Sequence, residues 1–182
     1  MLAIALALLA PLLPQPLTPE VRAKLQLVAF QAARDGDTVT LREYFAAGFA
    51  VNGKNKRGDT LLTVAAYNGQ PKAVELILTG KAVAVDERNG MGLTALAAAA
   101  FKGNADIAAK LLKAKADPNA ANGSKQTALM FAALAGKVEV AKLLLAAGAD
   151  PKATDAKGNT PLSLARGQGA ADVVKLLDGL TK

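Results

Sequence analysis

Residues 127–150 read TALMFAALAGKVEVAKLLLAAGAD, and this stretch decides the fold. Thr127 puts a hydroxyl before the short apolar run Leu129 to Ala133, Gly136 interrupts the pattern, and a second run carrying Leu144 and Leu145 leads to Gly148. A threonine oxygen can accept the orphan N–H of a starting helix, and glycine turns the chain at the end of one. The stretch therefore reads as helix, turn, helix. The same pattern recurs on both sides of it. Thr60, Thr94, Thr127 and Thr160 follow one another at 34, 33 and 33 residues, and Gly36, Gly69, Gly103, Gly136 and Gly169 at 33, 34, 33 and 33. Two independent markers keep one register. The single extra residue is expected between Val85 and Thr94, in a connecting loop, because an insertion inside a helix would rotate its apolar face by about 100°.

Each unit reads as turn, short helix, turn, second helix and loop. Thr160-Pro161 shows the start most clearly, with a hydroxyl at the cap and a proline where its missing N–H costs nothing. Small residues fill the first helices, Leu62 to Ala66, Leu96 to Ala100 and Leu129 to Ala133, so that neighbouring helices can approach closely. The second helices carry the bulkier pairs Tyr44 and Phe45, Ile77 and Leu78, Leu111 and Leu112, and Leu144 and Leu145, the expected seams between units. The fifth pair is Leu177 and Asp178, so a charge replaces the second apolar residue where a terminal cap would face water.

These residues resemble the ankyrin repeat, whose period is 33 and whose signature is Thr-Pro-Leu-His before an Ala-rich helix. The resemblance covers residues 18–182 and implies an all-α repeat solenoid of about five helix-turn-helix units joined by hairpin-like loops. The units run approximately 18–54, 55–88, 89–121, 122–154 and 155–182. The signature histidine is replaced by Thr63, Ala97, Met130 and Ser163, and only Pro161 keeps the proline, so the loop hydrogen bonding made by that histidine must be lost or replaced.

No Cys, His or Trp occurs among the 182 residues, which removes thiolate nucleophiles, imidazole bases, disulfides and the usual zinc ligand sets. Ser124 and Ser163 have no histidine to activate them, and the neighbours Ser124 and Lys125 sit in a loop with nothing to depress a lysine pKa. Asp86 and Glu87 lack the alternating oxygens of a calcium loop, and Gly167-Gln168-Gly169 lacks the strand and third glycine of a dinucleotide fingerprint. Asn52-Gly53, Asn68-Gly69, Asn89-Gly90 and Asn122-Gly123 read as turns, with Asn122-Gly123-Ser124 also matching a glycosylation sequon. No catalysis, cofactor, metal or small-molecule substrate is expected. A net charge of +7 suits acidic partners, yet aromatic residues are only 4% of the chain and lysines such as Lys110, Lys113, Lys142 and Lys175 spread the charge over outward faces of second helices. Both facts weigh against nucleic acid or an anionic surface.

The resemblance implies a non-catalytic protein-binding module that uses its loop tips and the exposed ends of its first helices. Before the repeat glycines these ends read Arg34-Asp35, Tyr67-Asn68, Phe101-Lys102, Leu134-Ala135 and Gly167-Gln168; of these Tyr67, Asn68, Phe101, Lys102 and Leu134 stand out, with Lys56, Arg57, Arg88, Met91 and Lys125 on the loop tips. These ten residues are the candidate partner contacts. Residues 1–17 form a separate segment, apolar from Leu2 to Leu13 and without a charge before Glu20. Its apolar run is shorter than the ~18–20 residues that cross a bilayer, so it reads as a bacterial export signal leading to the periplasm or outside, not as a permanent span. The other reading is a cytoplasmic adaptor with an apolar N-terminal helix, which Pro11, Pro14 and Pro16 would interrupt. An exported module suits an inhibitor, immunity factor, stabiliser or adaptor. The mature protein is expected to lack this apolar beginning, and intact mass measurement of natively expressed protein checks it. Soluble protein that retains Met1 would rule out cleavage on export.

Overall fold

Thr60, Thr94, Thr127 and Thr160 each start a helix, their Oγ atoms accepting the backbone N–H of Thr63, Ala97, Met130 and Ser163 at 3.1, 3.2, 3.4 and 3.2 Å. The computed structural model describes residues 17–180, so the export reading of Leu2 to Leu13 lies outside the described residues. Among the described residues ten helices form five pairs. They are α1 (Pro19–Asp35) with α2 (Thr38–Ala46), α3 (Leu61–Tyr67) with α4 (Pro71–Leu78), α5 (Ala95–Lys102) with α6 (Ala105–Lys113), α7 (Ala128–Leu134) with α8 (Val138–Ala146), and α9 (Pro161–Gly167) with α10 (Ala171–Asp178). Thr18 caps α1, accepting from the Val21 N–H at 3.4 Å.

The repeat glycines close every first helix in the same way. Gly36, Gly69, Gly103, Gly136 and Gly169 have φ of 78, 69, 79, 65 and 67°, the left-handed region open to a residue without Cβ. The next N–H then reaches back five residues, as from Gln70 to the Ala65 carbonyl and from Lys137 to that of Ala132, at 3.0 and 2.8 Å. These contacts satisfy carbonyls that a helix end would otherwise strand.

First helices pack on first helices and second helices on second helices, each unit touching its neighbours in order. Ala65, Ala99, Ala132 and Ala165 are fully buried along the inner seam, and Ile77, Leu111, Leu144 and Leu177 along the outer one. The second member of each outer pair, Phe45, Leu78, Leu112 and Leu145, is only partly buried and packs against that core. At the last unit Asp178 receives the Arg166 guanidinium at 2.7 Å, a polar closure for the end of the stack. Lys110 does not simply face outward: it is half-buried and bridges Glu75 of α4 and Asp106 of its own helix at 3.4 and 3.3 Å.

The extra residue lies elsewhere than expected. After each second helix one residue takes a left-handed backbone: Gly48, Ala82, Lys115 and Gly148, each twelve residues before its capping threonine. Ala82 comes five residues after Ile77, whereas Gly48, Lys115 and Gly148 come four after Tyr44, Leu111 and Leu144. The insertion is therefore in the turn Thr79–Lys81 at the end of α4, not between Val85 and Thr94. Asp86, one residue beyond Val85, occupies the place of Asn52 and Asn119.

Hydrogen bonds confirm that equivalence. Asn52 donates from Nδ2 to the Ala82 carbonyl at 2.8 Å and accepts the Ala84 N–H at 2.9 Å; Asn119 does the same with Gly148 and Asp150 at 3.0 and 2.8 Å. Asp86 accepts the Asp117 N–H at 3.1 and 3.2 Å, but an ionised carboxylate has nothing to donate. Burial first, and then the neighbouring Asp117 charge, push the Asp86 carboxyl above its ordinary range, against the pull of the Asp117 N–H and Arg88.

Two outcomes are expected. Leu111→Ala and Leu144→Ala each empty a fully buried site in a one-dimensional stack and should cost about 2–5 kcal/mol. Lys125→Ala on a loop tip should change stability by less than about 0.5 kcal/mol. Urea melts compare them, and equal effects would refute the register. Because the folded state raises the Asp86 pKa, the fold favours its protonated form, and that contribution is lost as pH rises through the carboxylate range. Asp86→Asn stays neutral and restores the donor, so it should stabilise the protein at pH 7 by about 0.5–1.5 kcal/mol, with a smaller gain near about pH 3. A lower urea midpoint than wild type at neutral pH would contradict this.

Candidate protein-binding groove

The loops between units are short hairpins, and one residue type braces each of them. Asn55, Asn89, Asn122 and Asp155 stand five residues before the capping threonines, and each Oδ1 accepts the N–H groups two and four residues further on, at 2.8–3.0 Å. The hairpin then closes through the backbone, as from Asn89 N–H to the Leu93 carbonyl at 3.0 Å. Fingers also join laterally, Gly90 N–H to the Arg57 carbonyl at 3.0 Å and Ala156 N–H to that of Ser124 at 2.9 Å. A Cβ on Gly90 would sit 2.4 Å from the Arg57 oxygen, so only glycine permits that approach. These contacts brace the fingers without the signature histidine. The sequon residue Asn122 is engaged in this bracing, its Nδ2 donating to Gln126 at 3.0 Å.

Of the four Asn-Gly pairs, only Gly69 takes positive φ; the finger bends use Gly58, Gly92, Lys125 and Gly158 instead, because the asparagines before Gly90 and Gly123 already turn their loops by side-chain acceptance. Lys125 thus holds a left-handed conformation, φ 59°, where the other fingers have glycine.

Braced fingers and packed first helices leave a groove of about 520 Å³ between them. Val64, Tyr67 and Ala98 contribute from the first helices, Met91 and Leu93 from a finger, and Arg34 and Arg57 bring charge, with Asn68, Asp59 and Asn89 among the polar lining. Tyr67 is 44% exposed and Met91 72%, so two large apolar side chains face water there. The Lys102 ammonium lies 5.0 Å from the centre of the Tyr67 ring, within cation–π range. Phe101, 42% exposed, meets Phe131 edge to face at 6.4 Å.

The structure thus brings Tyr67, Asn68, Arg57 and Met91 into one groove, and Lys102 adjoins it through Tyr67. Phe101 extends the aromatic surface toward the next unit, and Leu134 is half-buried beyond it. Lys56, Arg88 and Lys125 are exposed on fingers and outside the groove lining; Arg88 donates from Nε to the Ala121 carbonyl at 3.0 Å, tying two fingers together. Lys54 does likewise, reaching Glu87 at 2.6 Å and the Arg88 carbonyl at 3.2 Å, and this contact holds the Glu87 carboxyl below its ordinary range. Sequence reasoning placed Arg34 at a helix end without choosing it as a contact, and missed Val64, Leu93 and Phe131 as surface contributors. Val64, Ala98 and Phe131 recur four residues after the capping threonine, a periodic signal available before any fold was known.

Among the described residues no three His, Cys, Asp or Glu side chains gather as a metal site, and no helix is long and apolar enough to cross a membrane. A braced helical repeat array with an open, partly apolar concave face belongs to the class of protein-interaction scaffolds. The comparisons agree: the family model for ankyrin repeats in three copies matches residues 29–122, and the model for ankyrin repeats in many copies matches residues 111–165. The chain belongs to the ankyrin-repeat family. No curated protein matches it as a relative.

Proposed function

We propose that this chain is an exported, bacterial ankyrin-repeat protein that binds another protein through its concave groove, as an inhibitor, immunity factor, stabiliser or adaptor. The groove carries this reading, because exposed Tyr67 and Met91 sit on a rigid, laterally hydrogen-bonded frame that loses little freedom when a partner arrives. Aromatic residues held this way are the usual energetic anchors of an interface, whereas rim charges mainly speed encounter. Export rests on the uncharged apolar run Leu2 to Leu13.

Equivalent positions in three consecutive units span roughly 20 Å at the spacing of packed helices, a length suited to a helix or extended segment of the partner. Crosslinking and affinity capture from native extracts supply that partner. Tyr67→Ala and Phe101→Ala should then each weaken its binding by about 1–4 kcal/mol. Lys56→Ala should chiefly slow association and reduce its salt dependence. Surface plasmon resonance on variants whose circular dichroism is unchanged measures both. Wild-type binding by the two aromatic variants, with loss in finger variants, would move the contact to the loop tips.

A further inference from the structure

The groove is lined by two arginines, Arg34 and Arg57, and one acid, Asp59. Asp59, the acid in its lining, is turned inward: its carboxylate receives Asn89 Nδ2 at 2.9 Å and Asn55 Nδ2 at 3.1 Å, and its side chain is only 13% exposed. Glu87 is committed to Lys54, and Asp35 accepts Gln31 on its own helix at 2.8 Å. Arg57 meets Asp59 only through Nε at 3.5 Å and leaves its side chain 75% exposed. Arg34 is exposed and lines the groove, and its contact with Gln70 of the next unit uses the backbone carbonyl and not the guanidinium. Lys102 adds a third cation over Tyr67. Basic side chains thus rim an apolar floor whose acids are already engaged.

We propose that the groove selects an acidic segment of its protein partner, seating an aliphatic or aromatic side chain against Tyr67 and Met91 while neighbouring carboxylates pair with Arg34 and Arg57. This rests on the reading of the groove as the binding face. A guanidinium offers parallel N–H donors that match a carboxylate, and an apolar floor beside it lowers the local dielectric and strengthens the pair. A basic or neutral segment would leave both arginines without partners.

The test displays random peptides of about twelve residues, long enough to cross ~20 Å in extended form, against the full chain. Peptides whose capture is lost on Tyr67→Ala are sequenced and titrated against wild type, Arg34→Gln and Arg57→Gln, each confirmed folded by thermal melt. The expected winners carry several Asp or Glu around one large apolar residue, weaken about three- to tenfold with each arginine variant, and weaken further from low to high salt. Neutral or basic winners that still depend on Tyr67 would overturn the acidic selectivity and leave the groove as the binding face. Acidic winners indifferent to both arginines would overturn their assigned pairing. Failure of any peptide to depend on Tyr67 would contradict the selectivity and the binding face together.

Discussion

Burial of the small-residue face of each first helix against the next unit is the interaction on which the rest depends. First helices of seven or eight residues, such as α3, α5, α7 and α9, are far too short to persist alone in water. They persist because Ala65, Ala99, Ala132 and Ala165 are shielded completely by adjacent helices. Larger side chains there would push the helices apart and open the outer seam at Ile77, Leu111, Leu144 and Leu177, all buried to the same extent. The buried residues form one continuous core, Leu25 to Leu177, but it is built from contacts between neighbouring units.

That arrangement frees the opposite side of each first helix. Tyr67 and Phe101 take no part in the alanine seam and stay 44% and 42% exposed. The fingers are rigid for separate reasons: an Asx acceptor within each hairpin, and lateral bonds such as Gly90 to Arg57 and Arg88 to Ala121. Val64 belongs to both sides, lining the groove while it is buried in the core. Asp86 is where the two lateral systems fit least well, since it replaces an asparagine that elsewhere both donates and accepts.

Much of this was legible because caps are local. A threonine that accepts an N–H three residues on, and a glycine that turns left-handed at a helix end, need nothing beyond their own segment, so Thr60 and Gly69 could be read directly. The extra residue was harder: spacing located the unit that contains it, but its place depended on which residue follows α4 with positive φ, and Ala82 carries no sequence mark of that conformation. The Asx braces were periodic yet hidden, because Asn89-Gly90 and Asn122-Gly123 look like glycine turns when the side-chain acceptor is ignored. Of the groove, Tyr67, Met91 and Arg57 were visible as variable positions. Arg34 was legible as a helix end but not as a groove charge, since its place there depends on how the first unit sits beside the second; the meeting of Phe101 with Phe131 likewise exists only across a unit boundary.

Native-state hydrogen exchange at one equivalent amide per unit tests the nearest-neighbour description most directly. Ala32, Ala65, Ala99, Ala132 and Ala165 all stand four residues before a repeat glycine and are at most 5% exposed, so static burial alone would give them similar protection. If neighbouring units carry the stability, Ala99 should exchange most slowly, and Ala32 and Ala165, in the outer units, at least about tenfold faster. Equal protection at all five amides would contradict it, because that pattern belongs to a single core that opens only as a whole.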